Sequence, residues 1–532
     1  MVLKKRRLLR IIIPRFPHFN IYTNASKVTT SIGPLLVATN AVRLDCWDAE
    51  VIDENNLHGK FFPQNSRGEL DHKKLQEETP AEIVGFYGSI SSSIPRLYEL
   101  ARLYKSMGAL TIAGGKHIEN LPVEALKSGL DYVFFGEAEI SIRKFLENID
   151  SIDSRNTVKG IGYLRNGLLE RNGNRSEPDE LDKLPVPDYH LLRFASMKIF
   201  PIISTRGCNM NCEFCAVKGR SRSCSPEYLI NTVRYLVETY NAREFFDVSD
   251  HFASNMERAI RFLELFALYQ QSIGKKLSLT IQTRLTDARS ENYLRALKKA
   301  GVSMVCIGYE SPVDSDLKQM NKGYHSEEML RLTRSFKRQG VRIHGMFIFS
   351  YPRNNATPPP YSLAEYEKTF WKFIKNSRID SLQLLLAIPL PGTDLRKRLQ
   401  KNNQLFPIEQ IGWQYYDGQY PLYFQNRIYS PEKIQKAMGN LMKRFYKRGF
   451  LARCIKNIII DFPLIIFPSV LTILSGRITY IQKAFRFWHS RLFSNNAICF
   501  GGLLILKGWF KNYRKGNFPD LLRKAENTLF QK

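Results

Sequence analysis

A chain of 532 residues that is 44% hydrophobic and 12% aromatic is a folded protein of about two to four domains, which excludes dominant disorder. Its 78 basic and 50 acidic residues leave a formal charge of +28, favouring an anionic partner such as nucleic acid, anionic lipid or an anionic substrate without choosing among them. Eight cysteines at this length exclude a disulfide scaffold, and no arginine-rich arm or Cys/His finger supports nucleic acid as a partner.

In chain order, the basic start Lys4-Lys5-Arg6-Arg7 leads into the apolar run Leu8 to Ile13. Pro14 and Pro17 interrupt it and no small-residue cleavage site follows, so it reads as a first β-strand rather than a signal peptide. A helix is expected over 32–44 and a short strand over 50–53. A strand over 82–86 runs into Gly88-Ser89-Ile90-Ser91-Ser92-Ser93, followed by a helix over 95–107. A strand over 110–113 leads to Gly114-Gly115-Lys116-His117. A helix over 122–128 and a strand over 132–135 then lead to the turn Gly136-Glu137-Ala138-Glu139.

This alternation predicts a Rossmann-like α/β domain over 1–150, with a parallel sheet between helices. Glycines and hydroxyls at the carboxyl ends of such strands mark the crevice where ligands bind. Ser91, Gly114, Gly115, His117, Gly136 and Glu137 are therefore candidate cofactor contacts. His117 either faces that ligand or caps a helix. No G-x-G-x-x-G follows the first strand, so this is not a dinucleotide fingerprint. Residues 151–195 read as a linker with a small hairpin, Ile161 to Leu168, and a proline-bounded extended stretch, Asp182 to Asp188.

The sharpest feature is Cys208-Asn209-Met210-Asn211-Cys212-Glu213-Phe214-Cys215, preceded by the apolar run Ile199 to Ile203. A short loop can wrap three thiolates around one side of a [4Fe-4S] cubane, which ordinarily takes four. No fourth cysteine completes a regular spacing, leaving one iron open to a small chelating ligand such as the amino and carboxylate groups of methionine. A zinc site completed by Cys224, a structural cluster and unrelated thiols are the plainer alternatives. Cys46, Cys224, Cys306, Cys454 and Cys499 stand alone and read as buried thiols.

Beyond this loop, strands are expected near 245–248, 277–281, 304–307, 343–348 and 382–388. Helices are expected near 227–240, 256–272, 288–299, 326–339 and 363–377. That is a (β/α) barrel or partial barrel over 196–425, with its site at the strand ends. Asp250 and His251 suit substrate contact or ordering of the site, and Arg284 suits a carboxylate. Gly308 allows close approach of an adenosine, and Glu310 suits an amino group or ribose hydroxyls.

These motifs resemble the cobalamin-binding radical S-adenosylmethionine (SAM) enzymes. In the barrel they are Thr205-Arg206-Gly207-Cys208 with Cys212 and Cys215, Ile307-Gly308-Tyr309-Glu310-Ser311, Leu317-Lys318-Gln319-Met320-Asn321-Lys322-Gly323 and Pro389-Leu390-Pro391-Gly392-Thr393. Gly114-Gly115-Lys116-His117 and Gly136-Glu137-Ala138-Glu139 are similar to the family's cobalamin domain.

The resemblance implies a [4Fe-4S] cluster on Cys208, Cys212 and Cys215, with SAM contacted by Glu310. It also implies cobalamin enclosed by loops 88–93, 114–117 and 136–139. No Asp-x-His-x-x-Gly loop is present to supply a histidine to cobalt. The implied reaction is methylation of an unactivated carbon by radical chemistry; oxidative cyclisation or rearrangement is the alternative within the family. A non-catalytic iron–sulfur sensor or nucleic-acid-binding protein is the alternative outside it. The implied partners are an electron donor such as flavodoxin or ferredoxin and a small-molecule, natural-product or lipid-like substrate.

Residues 426–532 read as a helical, basic region opened by a helix from Pro431 to about 447. The aromatic stretch Trp413 to Gly418 either lines the substrate pocket or packs the barrel mouth. The apolar 458–474 segment, interrupted by Asp461, Pro463 and Pro468, reads as a buried or interfacial helix pair, with a plain core helix and a membrane span as the alternatives. With Lys483, Phe485, Arg486, Phe487, Trp488, His489 and Arg491 it suggests a cytoplasmic protein that touches an anionic membrane surface peripherally.

Overall fold

The computed structural model describes residues 6–17, 22–59, 61–173, 178, 180–353, 361–424, 429–456, 501–504, 506–508 and 518–530. The apolar 458–474 segment and the basic aromatic tail at 483–491 lie outside the described residues.

The first sheet holds eight strands: β1 (Arg7–Ile13), β2 (Trp47–Asp53), β3 (Ile83–Tyr87), β4 (Leu110–Gly114), β5 (Tyr132–Phe134), β6 (Ile161–Arg165), β7 (Leu168–Arg171) and β8 (Leu192–Arg193). Their order is β7-β6-β5-β4-β3-β1-β2-β8. β1 pairs parallel with both β2 and β3, so the direction of winding reverses between β1 and β3. In doubly wound sheets a crevice opens at that reversal. Leu9, Ile11, Ile12 and Ile13 of β1 are all buried, as expected of a parallel strand covered on both faces. Arg10, on the same strand, is buried too, because Glu50 accepts from its Nε at 2.6 Å and Gln76 from its Nη1 at 2.7 Å.

The segment at 151–195, expected as a linker, is built into this sheet. The hairpin β6–β7 pairs antiparallel onto β5, and β8 pairs with β2 at the opposite edge. Both additions cover strand edges that would otherwise present unpaired N–H and C=O groups.

The second sheet runs sequentially and in parallel: β9 (Ile199–Ile202), then, past a two-stranded ribbon of β10 (Thr205–Arg206) and β11 (Arg222–Ser223), β12 (Glu244–Asp247), β13 (Ser278–Thr283), β14 (Met304–Glu310), β15 (Arg342–Phe349) and β16 (Ser381–Leu386). Helices Pro226–Tyr240, Met256–Ser272, Glu291–Ala300, Ser326–Arg338 and Leu363–Ser377 connect them. Sequential parallel strands with intervening helices form the expected partial barrel. On β13, Leu279, Ile281 and Thr283 are buried while Ser278, Thr280 and Gln282 alternate with them and stay partly accessible. The helix face is thus packed and the concave face left open for a ligand.

The described segments of the C-terminal region, 429–456 and 518–530 among them, are largely helical, as expected. Helix Pro431–Lys456 lies against β16, where the Tyr446 hydroxyl donates to the Leu382 carbonyl at 2.6 Å and accepts from its N–H at 3.1 Å. That hydroxyl closes the free edge of the barrel sheet. Phe518, opening helix Phe518–Phe530, packs on Tyr415 and Tyr420. Among the described residues, no helix is long and apolar enough to cross a membrane.

Candidate active site

A cavity of about 610 Å³ lies between the carboxyl ends of the first sheet and the loops of the second. Leu9 and Ile11 of β1, Gly85 of β3, Gly114 of β4 and Phe134 of β5 form its floor, at the β1/β3 reversal. Arg206, Gly207, Lys218, Arg222 and Asp250 face them from the barrel side. Gly114, Gly115, Gly136 and Glu137, all expected at a cofactor, line this cavity.

Gly115 has φ +122°, and a Cβ there would fall 2.6 Å from the Gly88 carbonyl carbon and 2.7 Å from the Ser89 nitrogen. Only glycine lets the loops after β3 and β4 meet backbone to backbone. The His117 N–H completes the stitch by donating to the Gly88 carbonyl at 3.1 Å.

Ser91 and His117 do not belong to the cavity lining. They are buried and hydrogen bonded to each other, Ser91 Oγ to His117 Nδ1 at 2.9 Å, and the His117 ring stands edge-on to Trp413. Burial lowers the His117 pKa, keeping the ring neutral. On the helix Lys116–Asn120, His117 thus joins the first domain to the 413–416 segment. Trp413 accordingly packs: its Nε1 donates to Glu124 at 2.9 Å, and Arg396 lies over its ring.

The cysteine loop leaves β9 through the β10–β11 ribbon. Gly207 has φ +79°, and a Cβ on it would fall 2.6 Å from the Arg220 carbonyl oxygen, so the ribbon closes tightly at the loop's base. Asp250, following β12, accepts from the Gly207 N–H at 2.8 Å, immediately before Cys208. Lys218 holds the far side, donating to Asn211 Oδ1 at 2.6 Å and to the Cys212 carbonyl at 2.9 Å. Glu213, between the second and third cysteines, is buried beneath the loop. It accepts from Arg398 Nε at 2.5 Å and Nη2 at 2.9 Å and from the Tyr351 hydroxyl at 2.7 Å.

All three cysteines are free thiols and partly exposed. Among the described residues, no three Cys, His, Asp or Glu side chains converge on one point that could hold a single metal ion. Three thiolates that each bind a different corner of a cubane need not converge on one point. Burial pushes the Cys215 thiol up to about 11 and raises Cys212. Cys224 is buried, with its sulfur near the Ile203 and Ser204 carbonyls on the opposite side of the ribbon, where it serves packing.

Glu310 ends β14 in the left-handed region, φ +58°, beside a register shift between Gly308 and Glu310. Its carboxylate folds back over Gly308, where a Cβ would fall 2.5 Å from Oε1, and pairs with Lys322 Nζ at 3.0 Å. Although burial opposes it, Glu310 holds Lys322 protonated above its ordinary range. Lys322, Glu310, Cys208 and Arg284 all act electrostatically on the Cys212 thiol, which brings Glu310 and Arg284 to the cysteine loop. Asp287 orders this side. It accepts from the Arg284 N–H at 2.8 Å and from Thr283 Oγ1 at 2.6 Å, and it faces His251 Nε2 at 2.8 Å. His251 is thereby a support for Arg284.

Residue-by-residue reading assigned no role to Arg206, Lys322, Glu213, Arg398 or Tyr351. Arg206 and Lys322 stand inside motifs already singled out, so their motif positions were the available signal. Arg398 and Tyr351 are distant in sequence and carried none.

Residues 202–356 match the model of the radical SAM superfamily. The chain is 26% identical over 391 residues to an uncharacterized methyltransferase of Pyrococcus horikoshii, covering 71% of this chain and 81% of that one. The structure of the radical SAM methyltransferase TsrM from Kitasatospora setae, with cobalamin and a [4Fe-4S] cluster bound, matches with a TM-score of 0.58 at 16% identity, covering 75% of this chain and 78% of that chain. The cobalamin-dependent SAM radical enzyme OxsB, with aqua-cobalamin bound, matches with a TM-score of 0.60 at 13% identity, covering 98% of this chain and 84% of that chain. At these identities the two structures establish a shared fold.

Proposed function

We propose that this chain, a member of the radical SAM superfamily with the fold of its cobalamin-dependent enzymes, methylates an unactivated carbon of a small molecule. The observation that carries the reading is the cavity shared by the strand ends of the first sheet and the base of the three-cysteine loop. When bound, the cluster supplies an electron for reductive cleavage of SAM, and cobalamin carries the methyl group.

Cys208, Cys212 and Cys215 are assigned as the cluster ligands, and Glu310, Arg284 and Asp250 as polar contacts for SAM. Their shared position around the loop supports this. Glu310 suits the amino group of SAM and Arg284 its carboxylate, each by charge complementarity. Gly114, Gly115 and Gly136 suit cobalamin, since a bare backbone admits a broad ring and offers N–H groups to its polar rim. Glu137 is assigned to the same cavity wall. Ser91 and His117, buried and hydrogen bonded to each other, are assigned to supporting these loops.

A radical SAM enzyme requires a reductant, and an acidic flavodoxin or ferredoxin suits this basic chain. The concave barrel face, with Thr280, Gln282, His344, Met346 and Gln383 partly accessible, offers hydrogen-bonding groups and one apolar side chain to a small-molecule substrate. The basic aromatic tail suits peripheral contact with an anionic membrane that delivers a lipid-like substrate.

The test is an anaerobic incubation of the reconstituted protein with reductant, methyl-labelled SAM and separate polar and lipid extracts. Formation of 5′-deoxyadenosine and S-adenosylhomocysteine, with label in a product, supports the proposal. Label confined to methionine alongside an altered, unmethylated product would favour cyclisation or rearrangement. Absence of 5′-deoxyadenosine from iron-loaded protein would sink the radical reading.

A further inference from the structure

Four charged residues sit where the two halves of the site meet. Glu137 and Glu139 follow β5 of the first sheet; Arg206 and Arg222 face each other across the ribbon that closes the cysteine loop. All four line the cavity. Arg206 Nη1 donates to Glu137 Oε2 at 2.6 Å and Nη2 to Glu139 Oε1 at 2.6 Å. Arg222 grips Glu137 Oε1 with Nη2 and donates through Nη1 to the Pro178 carbonyl at 2.6 Å. We propose that these residues are an ionic clamp that fixes the cysteine loop to the cobalamin-binding half, making the geometry of each cofactor site depend on the other. The proposal rests on the cavity being the cobalamin site.

The physical case starts from the ribbon. Two guanidinium groups directly opposed on an antiparallel pair repel each other. Here the Arg206 side chain is only 10% exposed and that of Arg222 18%, so water does little to screen them. Glu137 lies between them, its Oε1 held by Arg222 and its Oε2 accepting from Arg206 at 2.6 Å and from Arg222 at 3.3 Å, and lets the ribbon close. The planar fork of arginine fixes direction as well as distance, which a lysine would not.

The clamp also has little slack toward the cluster side. Only Gly207 separates Arg206 from Cys208. Its N–H is held by Asp250, and it packs against the Arg220 carbonyl. On the other side, Glu137 follows Gly136, a cavity-lining turn residue at φ +78°. A ligand settling on Gly136 and Glu137 therefore presses on Arg206, and through it on the first cluster cysteine. Glu137 is in this account a positioning residue.

The experiment uses the full chain with its cluster reconstituted, titrated with hydroxocobalamin. Cobalamin is followed by corrin absorbance and the reduced cluster by electron paramagnetic resonance. In the wild type, cobalamin binds and shifts the cluster signal. Glu137→Gln keeps its full iron content but binds cobalamin at least about tenfold more weakly, the scale expected when one partner of a buried charge pair is lost. It also loses the cobalamin-dependent shift. Glu137→Asp, which keeps the charge, restores part of both.

A merely structural role would lower stability and leave the shift intact. Wild-type affinity and a wild-type shift in Glu137→Gln would overturn the clamp. Should that variant fail to fold, Arg222→Gln, which removes the other grip on Glu137, decides by the same two readouts. A wild type that binds no hydroxocobalamin would overturn the cavity assignment itself, a result distinct from failure of the clamp.

Discussion

Replacing Arg398 with methionine tests how the cysteine loop is held. Glu213 lies between Cys212 and Phe214, and its carboxylate takes both edges of the Arg398 guanidinium, at 2.5 and 2.9 Å. Without the guanidinium it keeps the Tyr351 hydroxyl at 2.7 Å and a long contact from Gln319 at 3.5 Å. Removing one partner of a buried pair costs about 3–5 kcal/mol. The two side chains retain 14% and 10% exposure, so the lower end, about 3 kcal/mol, applies. At about 2–4 °C per kcal/mol for a domain of this size, the melting midpoint should fall by about 6–12 °C.

The assay is thermal unfolding of the iron-free, reduced chain by circular dichroism, which separates loop anchoring from cluster loss. Glu213→Gln and the double variant complete a cycle, with an expected coupling of about 1.5–3 kcal/mol. Iron uptake on reconstitution should fall in both single variants and recover in part in the double one. A midpoint drop under about 2 °C, or strictly additive single effects, would refute the reasoning.

Other outcomes follow from the same geometry. Burial raises the Asp53 carboxyl to about 6, against hydrogen bonds from Asn55 and Thr30 that favour the charged form. The folded chain then holds that proton more tightly than the unfolded one, so stability falls as pH rises from about 4 to about 6 and the whole penalty applies above. Asp53→Asn should raise the melting midpoint at about pH 8 and leave it nearly unchanged at about pH 4.5; an equal gain at both would contradict the burial argument. Gly115→Ala should lose cobalamin binding and about 1–3 kcal/mol of stability, because its Cβ meets the Gly88 and Ser89 backbone. Near-wild-type affinity measured by corrin absorbance would show that the two loops can separate. Alanine at Cys208, Cys212 or Cys215 should abolish cluster absorbance, while alanine at Cys224 or Cys306 should retain it. Cluster loss in Cys224→Ala, with folding intact by circular dichroism, would reopen the question of a fourth ligand.

Much of this architecture is written locally. The helices at 256–272 and 363–377 fall where the apolar period puts them, and the strands do so to within a few residues, because alternation and caps act between near neighbours. The cysteine spacing within one loop, and the glycines after β4 and β5, are likewise short-range signals readable without a fold. Three decisions were not legible in that way. Residues 161–193 complete both edges of the first sheet, because only the assembled sheet has edges to cover. His117 turns toward Trp413, because the direction of a short helix after a glycine turn is set by what packs on it. Glu137 meets Arg206 and Arg222 across the cavity, and Glu213 meets Arg398 from 185 residues away. A charge in a sequence announces that it needs a partner or water; which one it receives is decided only when the tertiary structure removes the water.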